Sequence, residues 1–143
     1  MSSPRRYAAA GAVAALAWAA AEPLDRRALR HDYSDVALLG KWLTRGPLWR
    51  PAGLAWHAAN GAVFGLALRT LERRRGVDPG RLALPAALVE HVALFPLGAV
   101  VDRRHPARGD RGVERVFSAP AFLQASLRHA LFGALLARLL RRA

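Results

Sequence analysis

The chain has 143 residues, 53% of them hydrophobic and 22% charged, with a formal net charge of +12 and no cysteine. The length suits a single domain, and the lack of cysteine excludes a disulfide framework, a thiolate nucleophile and cysteine-ligated zinc. The basic residues flank apolar stretches instead of following amphipathic helices, so they predict contact with a lipid bilayer and its anionic headgroups, and not with nucleic acid.

The first apolar stretch, residues 7–24, has two interpretations. One is an uncleaved membrane-spanning helix. The other is a cleaved signal peptide, residues 1–21, because Arg5 and Arg6 precede the apolar part and three alanines end it before Glu22. The internal repeat described below favours the membrane-spanning helix.

A polar connection, residues 25–51, follows the first stretch. Residues 36–43 within it alternate apolar side chains with charged ones, and Trp42 and Trp49 lie near its end. Tryptophan is enriched at the level of lipid headgroups. We therefore predict a loop that contains a short interfacial helix, with an ordinary amphipathic connector as the alternative.

Three further apolar stretches lie at residues 52–68, 82–101 and 119–137. The first contains no charged residue, the second only Glu90 and the third only Arg128. A helix needs about 17–25 mostly apolar residues to cross the hydrocarbon core of a bilayer. The sequence thus predicts an all-α, membrane-embedded four-helix bundle that forms one transmembrane domain of the cell membrane. A soluble helical bundle is the alternative.

The second half of the sequence repeats features of the first. The pattern His-Ala-x-x-Gly-Ala occurs at residues 57–62 and again at residues 129–134. In both halves an Asp-Arg-Arg segment comes before this pattern, and a Pro-Leu pair comes before that segment. The common order indicates a duplicated helical hairpin, with both hairpins in the same orientation across the membrane.

Both chain ends are predicted to lie in the cytoplasm. The connection between the second and third stretches is short and basic, with arginines at positions 73–75, whereas most acidic residues lie on the opposite side. Positive charges close to a membrane span favour the cytoplasmic side.

Ionisable and amide side chains interrupt the apolar stretches at a similar depth. Such groups are costly in hydrocarbon, so they are expected to face the bundle interior. We predict a polar layer that consists of His57, Asn60, Glu90, His91, Arg128 and His129. Glu90 and Arg128 are the acid and the strong base at this depth, which predicts an ion pair between them. The pair has either a structural role in helix docking or a role in transport or catalysis.

Small residues recur at every fourth position in the second stretch and again in the fourth. Residues at this spacing lie on one helix face and allow helix backbones to approach closely. We predict close helix contacts at Gly53, Gly61, Gly65 and Gly133. The contacts join either the second and fourth stretches or the two helices of each hairpin.

The spacing of the histidines predicts no cofactor, because the sequence contains neither H-x-x-x-H nor H-E-x-x-H. Two alternatives stay open. His57 and His129 occupy equivalent positions of the repeat and would suit the two axial ligands of haem b. His57, His91 and His129, together with Glu90, would suit a metal ion.

The whole pattern of short hairpins, an H-x-x-x-G motif in the second and fourth stretches and an acid in the third resembles small bacterial four-span membrane proteins of unknown activity. The resemblance implies no activity and no catalytic residue. We therefore expect a structural or assembly protein of the membrane, with a homo-oligomer as an open alternative, and not an enzyme. The functional alternatives are a small proton or solute channel that uses the polar layer, and a haem- or metal-binding membrane protein.

Overall fold

The computed structural model describes residues 3–141, so the two chain ends, whose side of the membrane is predicted above, lie outside the described residues. The described part is helical and contains no β-strand, which confirms the all-α class. The helices are α1 (Pro4–Leu29), α2 (Asp35–Leu43), α3 (Trp49–Arg75), α4 (Pro79–Leu94), α5 (Gly98–Arg104) and α6 (Ala119–Arg141). A 3₁₀ turn, Phe95–Leu97, joins α4 to α5, and together they form one rod over Pro79–Arg104.

Local capping sets the ends of the long helices. At the start of α1 the Ser3 hydroxyl accepts a hydrogen bond from the Arg6 amide. Gly76 ends α3 with a φ of 64°, the left-handed conformation that glycine adopts without strain. α1 and α3 extend beyond their apolar stretches at both ends, and α1 includes residues 25–29 of the predicted loop. The predicted stretch 82–101 is instead divided between α4, the 3₁₀ turn and α5.

α1 lies at the centre of the helix arrangement, because it packs against α3 on one side and against α6 on the other. α6 in turn packs against α4, and α2 lies on α3. α3 and α4 follow each other in the chain but make few contacts. The bundle is therefore most open along the side where α3 faces α4.

Two of the predicted glycines lie where the backbones of α1 and α3 meet. A Cβ atom added at Gly61 would lie 2.4 Å from the carbonyl oxygen of Gly11. One added at Gly65 would lie 2.1 Å from the carbonyl oxygen of Tyr7. No side chain fits into either space, so these positions hold α1 and α3 at backbone contact.

The other two predicted glycines also lie at close approaches. A Cβ atom at Gly53 of α3 would lie 2.0 Å from the Val36 carbonyl oxygen of α2. One at Gly133 of α6 would lie 2.7 Å from the Cα atom of Leu84 in α4. Gly61 and Gly133 are equivalent in the sequence repeat, and each faces the preceding long helix of its own hairpin.

The half of the bundle nearer the chain ends is filled by apolar side chains from all four long helices. This core includes Tyr7, Ala10, Ala14, Leu68, Ala83, Ala87, Leu136 and Leu140. Burial of these side chains supplies the hydrophobic part of the stability in that half.

The outer faces of the long helices carry large apolar side chains. One example from each helix, in chain order, is Leu16, Val63, Val89 and Leu127, with exposures of 43%, 65%, 67% and 51%. The buried side chains, in contrast, include Glu22, His57, Gln124 and Arg128. Extensive exposed apolar surface, together with buried ionisable side chains, is typical of a protein surrounded by lipid.

Two helices of the described part are long and apolar enough to cross a membrane, namely Pro4–Leu29 and the rod Pro79–Arg104. This indicates membrane association. α3 and α6 are long enough but contain more polar residues. The four-span arrangement is accordingly taken up as a proposal below.

α2 covers the end of the bundle opposite the chain ends. It begins at Asp35 because the Ser34 hydroxyl accepts a hydrogen bond from the Ala37 amide, and the buried Glu22 carboxylate accepts one from the Asp35 amide at 2.8 Å. α2 falls where the sequence predicts an interfacial helix, but its small apolar face lies against α3 and residues 107–113.

The long connection between α5 and α6 is joined to the segment between α1 and α2. The Ser34 amide donates to the Gly112 carbonyl at 2.9 Å, and the Glu114 amide donates to the Asp32 carbonyl at 3.1 Å. We call α2, residues 30–34 and residues 105–118 the cap. The cap is therefore an ordered layer over one end of the bundle.

Candidate functional site

Arg128 lies at the centre of a buried charge cluster beneath the cap, with its side chain 1% exposed. Its Nε and Nη2 atoms donate to the two carboxylate oxygens of Asp25, both at 2.6 Å. Its Nη1 donates to Asp35 at 2.8 Å, and Nη2 also donates to the Tyr33 carbonyl at 2.8 Å. A third carboxylate, Glu22, lies 3.9 Å from Nη1. We call Arg128, Glu22, Asp25 and Asp35 the Arg128 cluster.

Neighbouring donors solvate the carboxylates of this cluster. Trp18 Nε1 donates to Asp35 at 3.1 Å, and the Tyr33 hydroxyl also donates to Asp35. Gln124 Nε2 donates to Asp25 at 2.9 Å. The Ser34 hydroxyl and the first amides of α2 donate to Glu22. Buried charges are tolerated when they are paired and hydrogen-bonded in this way.

Burial and neighbouring charges set the protonation states of Asp35 and Tyr33, which lie on the cap side of the cluster. Burial opposes ionisation of Asp35, but Arg128 and the Tyr33 hydroxyl more than offset this effect and lower the pKa of Asp35. Burial and the adjacent Asp35 carboxylate raise the pKa of Tyr33. At neutral pH Asp35 is therefore ionised and Tyr33 is neutral.

The predicted ion pair between Glu90 and Arg128 is not formed. Arg128 is satisfied by acids at the end of α1 and the start of α2, which the sequence analysis assigned to a loop outside the membrane. Among the described residues Glu90 makes no ion pair. It is half-buried and lies in the wall of a separate pocket.

This pocket has a volume of about 320 Å³ and lies next to the Arg128 cluster. Its walls come from all four long helices and from the cap, and they are mostly apolar and aromatic. The wall residues used below are Trp18, His57, Phe64, His91, Phe95 and His129. Asn60, Leu94 and Leu97, which also line the pocket, are exposed at the side where α3 faces α4. We call it the lateral pocket.

Aromatic rings form a continuous row along the lateral pocket. The Trp18 ring lies between two imidazoles, with centroid distances of 4.9 Å to His57 and 4.5 Å to His129. His91 stacks on His129 at 4.8 Å with an interplanar angle of 29°. The row thus brings three of the predicted histidines to one pocket through Trp18, which the sequence analysis did not select.

The three imidazoles differ in their hydrogen bonding. His129 Nδ1 lies 2.7 Å from the Ala125 carbonyl oxygen, and His91 Nε2 lies 3.0 Å from the Ser126 hydroxyl. His57 Nε2 is buried without a hydrogen-bond partner in the described part of the chain. A buried polar atom without a partner costs about 1–3 kcal/mol, so His57 is the group in this wall that gains most from a bound ligand.

The geometry gives no support to haem or metal at these histidines. The Trp18 ring occupies the space between His57 and His129 that a macrocycle would need. Over residues 3–141, no group of three or more metal-ligating side chains of His, Cys, Asp or Glu is close enough to hold a metal ion.

Five of the six residues of the predicted polar layer line the lateral pocket, and Arg128 belongs instead to the charge cluster. Trp18, Glu22 and Asp25 are not among the residues predicted from the sequence. A signal for them exists, because they follow Tyr7, Gly11 and Ala14 at spacings of three or four residues, which is the stripe of a helix that faces a partner.

Comparisons with known proteins identify no relative. The sequence matches no protein-family model, and neither a curated protein nor a solved structure is similar to it. The function is therefore argued from the site alone.

Proposed function

We propose that this chain is a multi-pass membrane protein in which the Arg128 cluster is structural and the lateral pocket binds a small lipid-soluble molecule. One observation carries the proposal: a pocket of about 320 Å³ with mostly apolar walls, the unpartnered imidazole nitrogen of His57 among its lining residues, and an exposed rim between α3 and α4. Pockets of this size with few polar groups are typical of small-molecule sites.

The distribution of polar residues supports four membrane spans. His57, Gln124 and Arg128 lower the mean hydropathy of α3 and α6, but all three are buried inside the bundle. The outer faces of α3 and α6 carry large apolar side chains like those of α1 and α4, and the exposed Asn60 of α3 lies at the rim of the lateral pocket. Lipid would therefore meet an apolar surface on each of the four long helices.

Contacts within the bundle support retention of α1 and a duplicated hairpin. α1 provides Trp18 to the pocket and packs against both α3 and α6, so cleavage after residue 21 would remove the Trp18 wall of the pocket and most of these helix contacts. Gly61 and Gly133 hold equivalent positions of the repeat and make equivalent contacts to α1 and α4. A second hairpin copied from the first would keep these contacts.

Topology can be mapped without background because the chain has no cysteine. We expect single cysteines in the variants Arg5→Cys and Val77→Cys to react with a membrane-impermeant maleimide from the cytoplasmic side. Arg108→Cys, in the cap, should react only from the opposite side. Labelling of Val77→Cys and Arg108→Cys from the same side would exclude the four-span arrangement.

The Arg128 cluster joins four parts of the chain instead of forming a transport path. Arg128 of α6 binds Asp25 of α1, Asp35 of α2 and the Tyr33 carbonyl, and each of its three guanidinium nitrogens is in use. A guanidinium held by this many bonds stays charged and fixed. The cluster thus fits the structural role that the sequence predicts for a buried polar layer.

The pocket wall defines the chemical class of the ligand. Trp18, Phe64, Phe95 and the stacked imidazoles offer flat faces to a ring or an alkyl chain. His57 Nε2 offers one hydrogen-bonding site, and Asn60 offers a second at the rim. We infer a small, largely apolar ligand with a single hydroxyl or carbonyl group, which enters from the lipid between α3 and α4.

Two matched probes test this pocket in the purified protein in neutral detergent. We expect 4-pentylphenol to raise the melting temperature more than pentylbenzene, because only the phenol can hydrogen-bond to His57. One net hydrogen bond of about 0.5–1.5 kcal/mol corresponds to a roughly two- to tenfold difference in affinity. His57→Phe keeps the ring beside Trp18 but removes the nitrogen, so the two probes should then become equivalent.

The free His57→Phe variant should be at least as stable as the original protein, because it removes a buried polar atom without a partner. Identical shifts for both probes in the original protein would contradict a hydrogen-bonding pocket. Solvent extraction of the purified protein followed by mass spectrometry provides a route to the natural ligand.

A proton or solute channel is less well supported by the same structure. The imidazole row and Glu90 lie in the pocket, but the half of the bundle nearer the chain ends is an apolar core that includes Ala14, Leu68 and Leu136. A conducting path needs polar groups or water along its length.

A further inference from the structure

A second pocket lies on the outer side of the cap, where α1 ends. It has a volume of about 340 Å³ and is separate in its residues from the lateral pocket. Four arginines line it, together with Pro23, His31, Asp32 and Glu114. We call Arg26, Arg27, Arg30 and Arg111 the arginine pocket.

The acids of this pocket are already engaged. Asp32 forms an ion pair with Arg26 and accepts a hydrogen bond from the Gly112 amide at 2.9 Å. Glu114 accepts a hydrogen bond from the Asp32 amide and lies 3.3 Å from the Nδ1 atom of His31. Burial opposes ionisation of Asp32, but the Gly112 amide and Arg26 lower its pKa overall, so its charge is committed to these partners.

Three guanidinium groups are left over. In the part of the chain that the structure describes, Arg27, Arg30 and Arg111 form no ion pair. Arginines near the end of α1 also interact favourably with the helix dipole, which accounts for Arg26 and Arg27 without any ligand. That explanation does not extend to Arg111, which comes from a different loop.

The cap holds Arg111 against the end of α1. The neighbouring residue, Gly112, accepts a hydrogen bond from the Ser34 amide and donates one to Asp32. Arg111 itself is fixed through its carbonyl, which accepts a hydrogen bond from Lys41 Nζ at 2.8 Å. Two separate segments thus bring Arg111 to the same pocket as the arginines of α1, where Arg111 also helps to lower the pKa of Asp32.

We propose that the arginine pocket binds a phosphate group. Guanidinium groups match phosphate oxygens in charge and in hydrogen-bond geometry, and several of them around one cavity are typical of phosphate recognition. The inference is independent of the ligand in the lateral pocket.

An anionic phospholipid is the source that the surface favours. Leu24, 69% exposed, lies on the outside of α1, and Arg27 follows three residues later on the same helix face. Three residues of helix rise about 4.5 Å, so an acyl chain against Leu24 would bring its headgroup phosphate level with the arginine pocket.

The test measures binding of short-chain lipids to the purified protein in neutral detergent by native mass spectrometry. We expect dioctanoyl phosphatidylglycerol to bind and dioctanoyl phosphatidylcholine to bind much more weakly. The double variant Arg27→Gln with Arg30→Asn should weaken phosphatidylglycerol binding about tenfold or more. Asparagine is chosen because Arg30 has a φ of 51°, which asparagine tolerates.

The matched control, Arg73→Gln with Arg74→Gln, removes the same charge at the far end of α3 and should change binding less than about twofold. Equal losses in both double variants, or no loss in either, would overturn the site. Arg111→Gln tests the second loop and keeps the proposal falsifiable if the double variant fails to fold. Glycerol 3-phosphate that binds as tightly as the lipid would support the phosphate site and assign it to a soluble ligand.

Discussion

Replacing Arg128 with methionine is expected to destabilise the protein by about 3–5 kcal/mol, the largest effect of any single polar substitution in the bundle. The substitution keeps a long apolar side chain but leaves Asp25, Asp35 and Glu22 buried without their guanidinium. It also leaves the Tyr33 carbonyl without the hydrogen bond that Arg128 Nη2 donates to it. Thermal unfolding in neutral detergent, together with the monodisperse fraction in size-exclusion chromatography, measures this loss.

Glu90→Gln is the matched control, because it also removes a charge from the bundle. Glu90 forms no ion pair with any residue that the structure describes. We expect it to change stability by less than about 1 kcal/mol. Arg128→Lys should rescue only part of the stability, since an ammonium cannot reproduce the two parallel bonds to Asp25. A loss for Glu90→Gln as large as that for Arg128→Met would favour the Glu90–Arg128 pair and count against the cluster.

The sequence predicts the long helices because their signal is local. Three of the four apolar stretches lie within a single helix, whereas the stretch 82–101 is divided between α4, the 3₁₀ turn and α5. The glycine contacts can also be predicted from the sequence, since a stripe of small residues on one helix face indicates a close contact between helices.

The partners of Arg128 cannot be predicted from the residues that are close to it in the sequence. Asp25 and Asp35 are 103 and 93 residues away from Arg128 in sequence, and the apolar stretch alone ends α1 before Asp25. Among the acids within the predicted stretches only Glu90 lies at the depth of Arg128, so it is the partner that the stretches predict. Extending α1 by about one turn would have placed Asp25 on the same stripe as Trp18 and Glu22.

The polar residues of the lateral pocket can be predicted from the sequence, but the aromatic ring between them cannot. Six residues at a common depth are predicted to face the interior because polar groups are costly in hydrocarbon, and five of the six line this pocket. The sequence relates His57 to His129 as equivalent positions of a repeat, and the structure places the Trp18 ring between them. The repeat relates His57 to His129, but it does not predict that an aromatic ring from a third helix lies between them.

Gly61→Ala is expected to destabilise the protein by about 1–3 kcal/mol. Glycine to alanine in a helix normally gains about 0.5–1 kcal/mol from propensity, so a net loss reports a steric conflict. The added Cβ would lie 2.4 Å from the Gly11 carbonyl oxygen and 2.6 Å from the Ala15 Cβ, and neither can move without shifting α1 as a whole. Thermal unfolding in neutral detergent gives the change in stability.

The geometry also predicts an order among glycine variants. Gly133→Ala meets the Leu84 Cα at 2.7 Å and should cost less than Gly61→Ala, whereas Gly46→Ala meets only the Thr44 hydroxyl at 3.5 Å and should be neutral. α1 contacts both α3 and α6, so a displacement of α1 by Gly61→Ala would also disturb the Arg128 cluster. α4 contacts mainly α6, so a displacement of α4 by Gly133→Ala would affect fewer helices. The losses should therefore fall from Gly61 through Gly133 to Gly46. A neutral or stabilising Gly61→Ala would mean that α1 and α3 are not in backbone contact, and the central position of α1 would have to be abandoned.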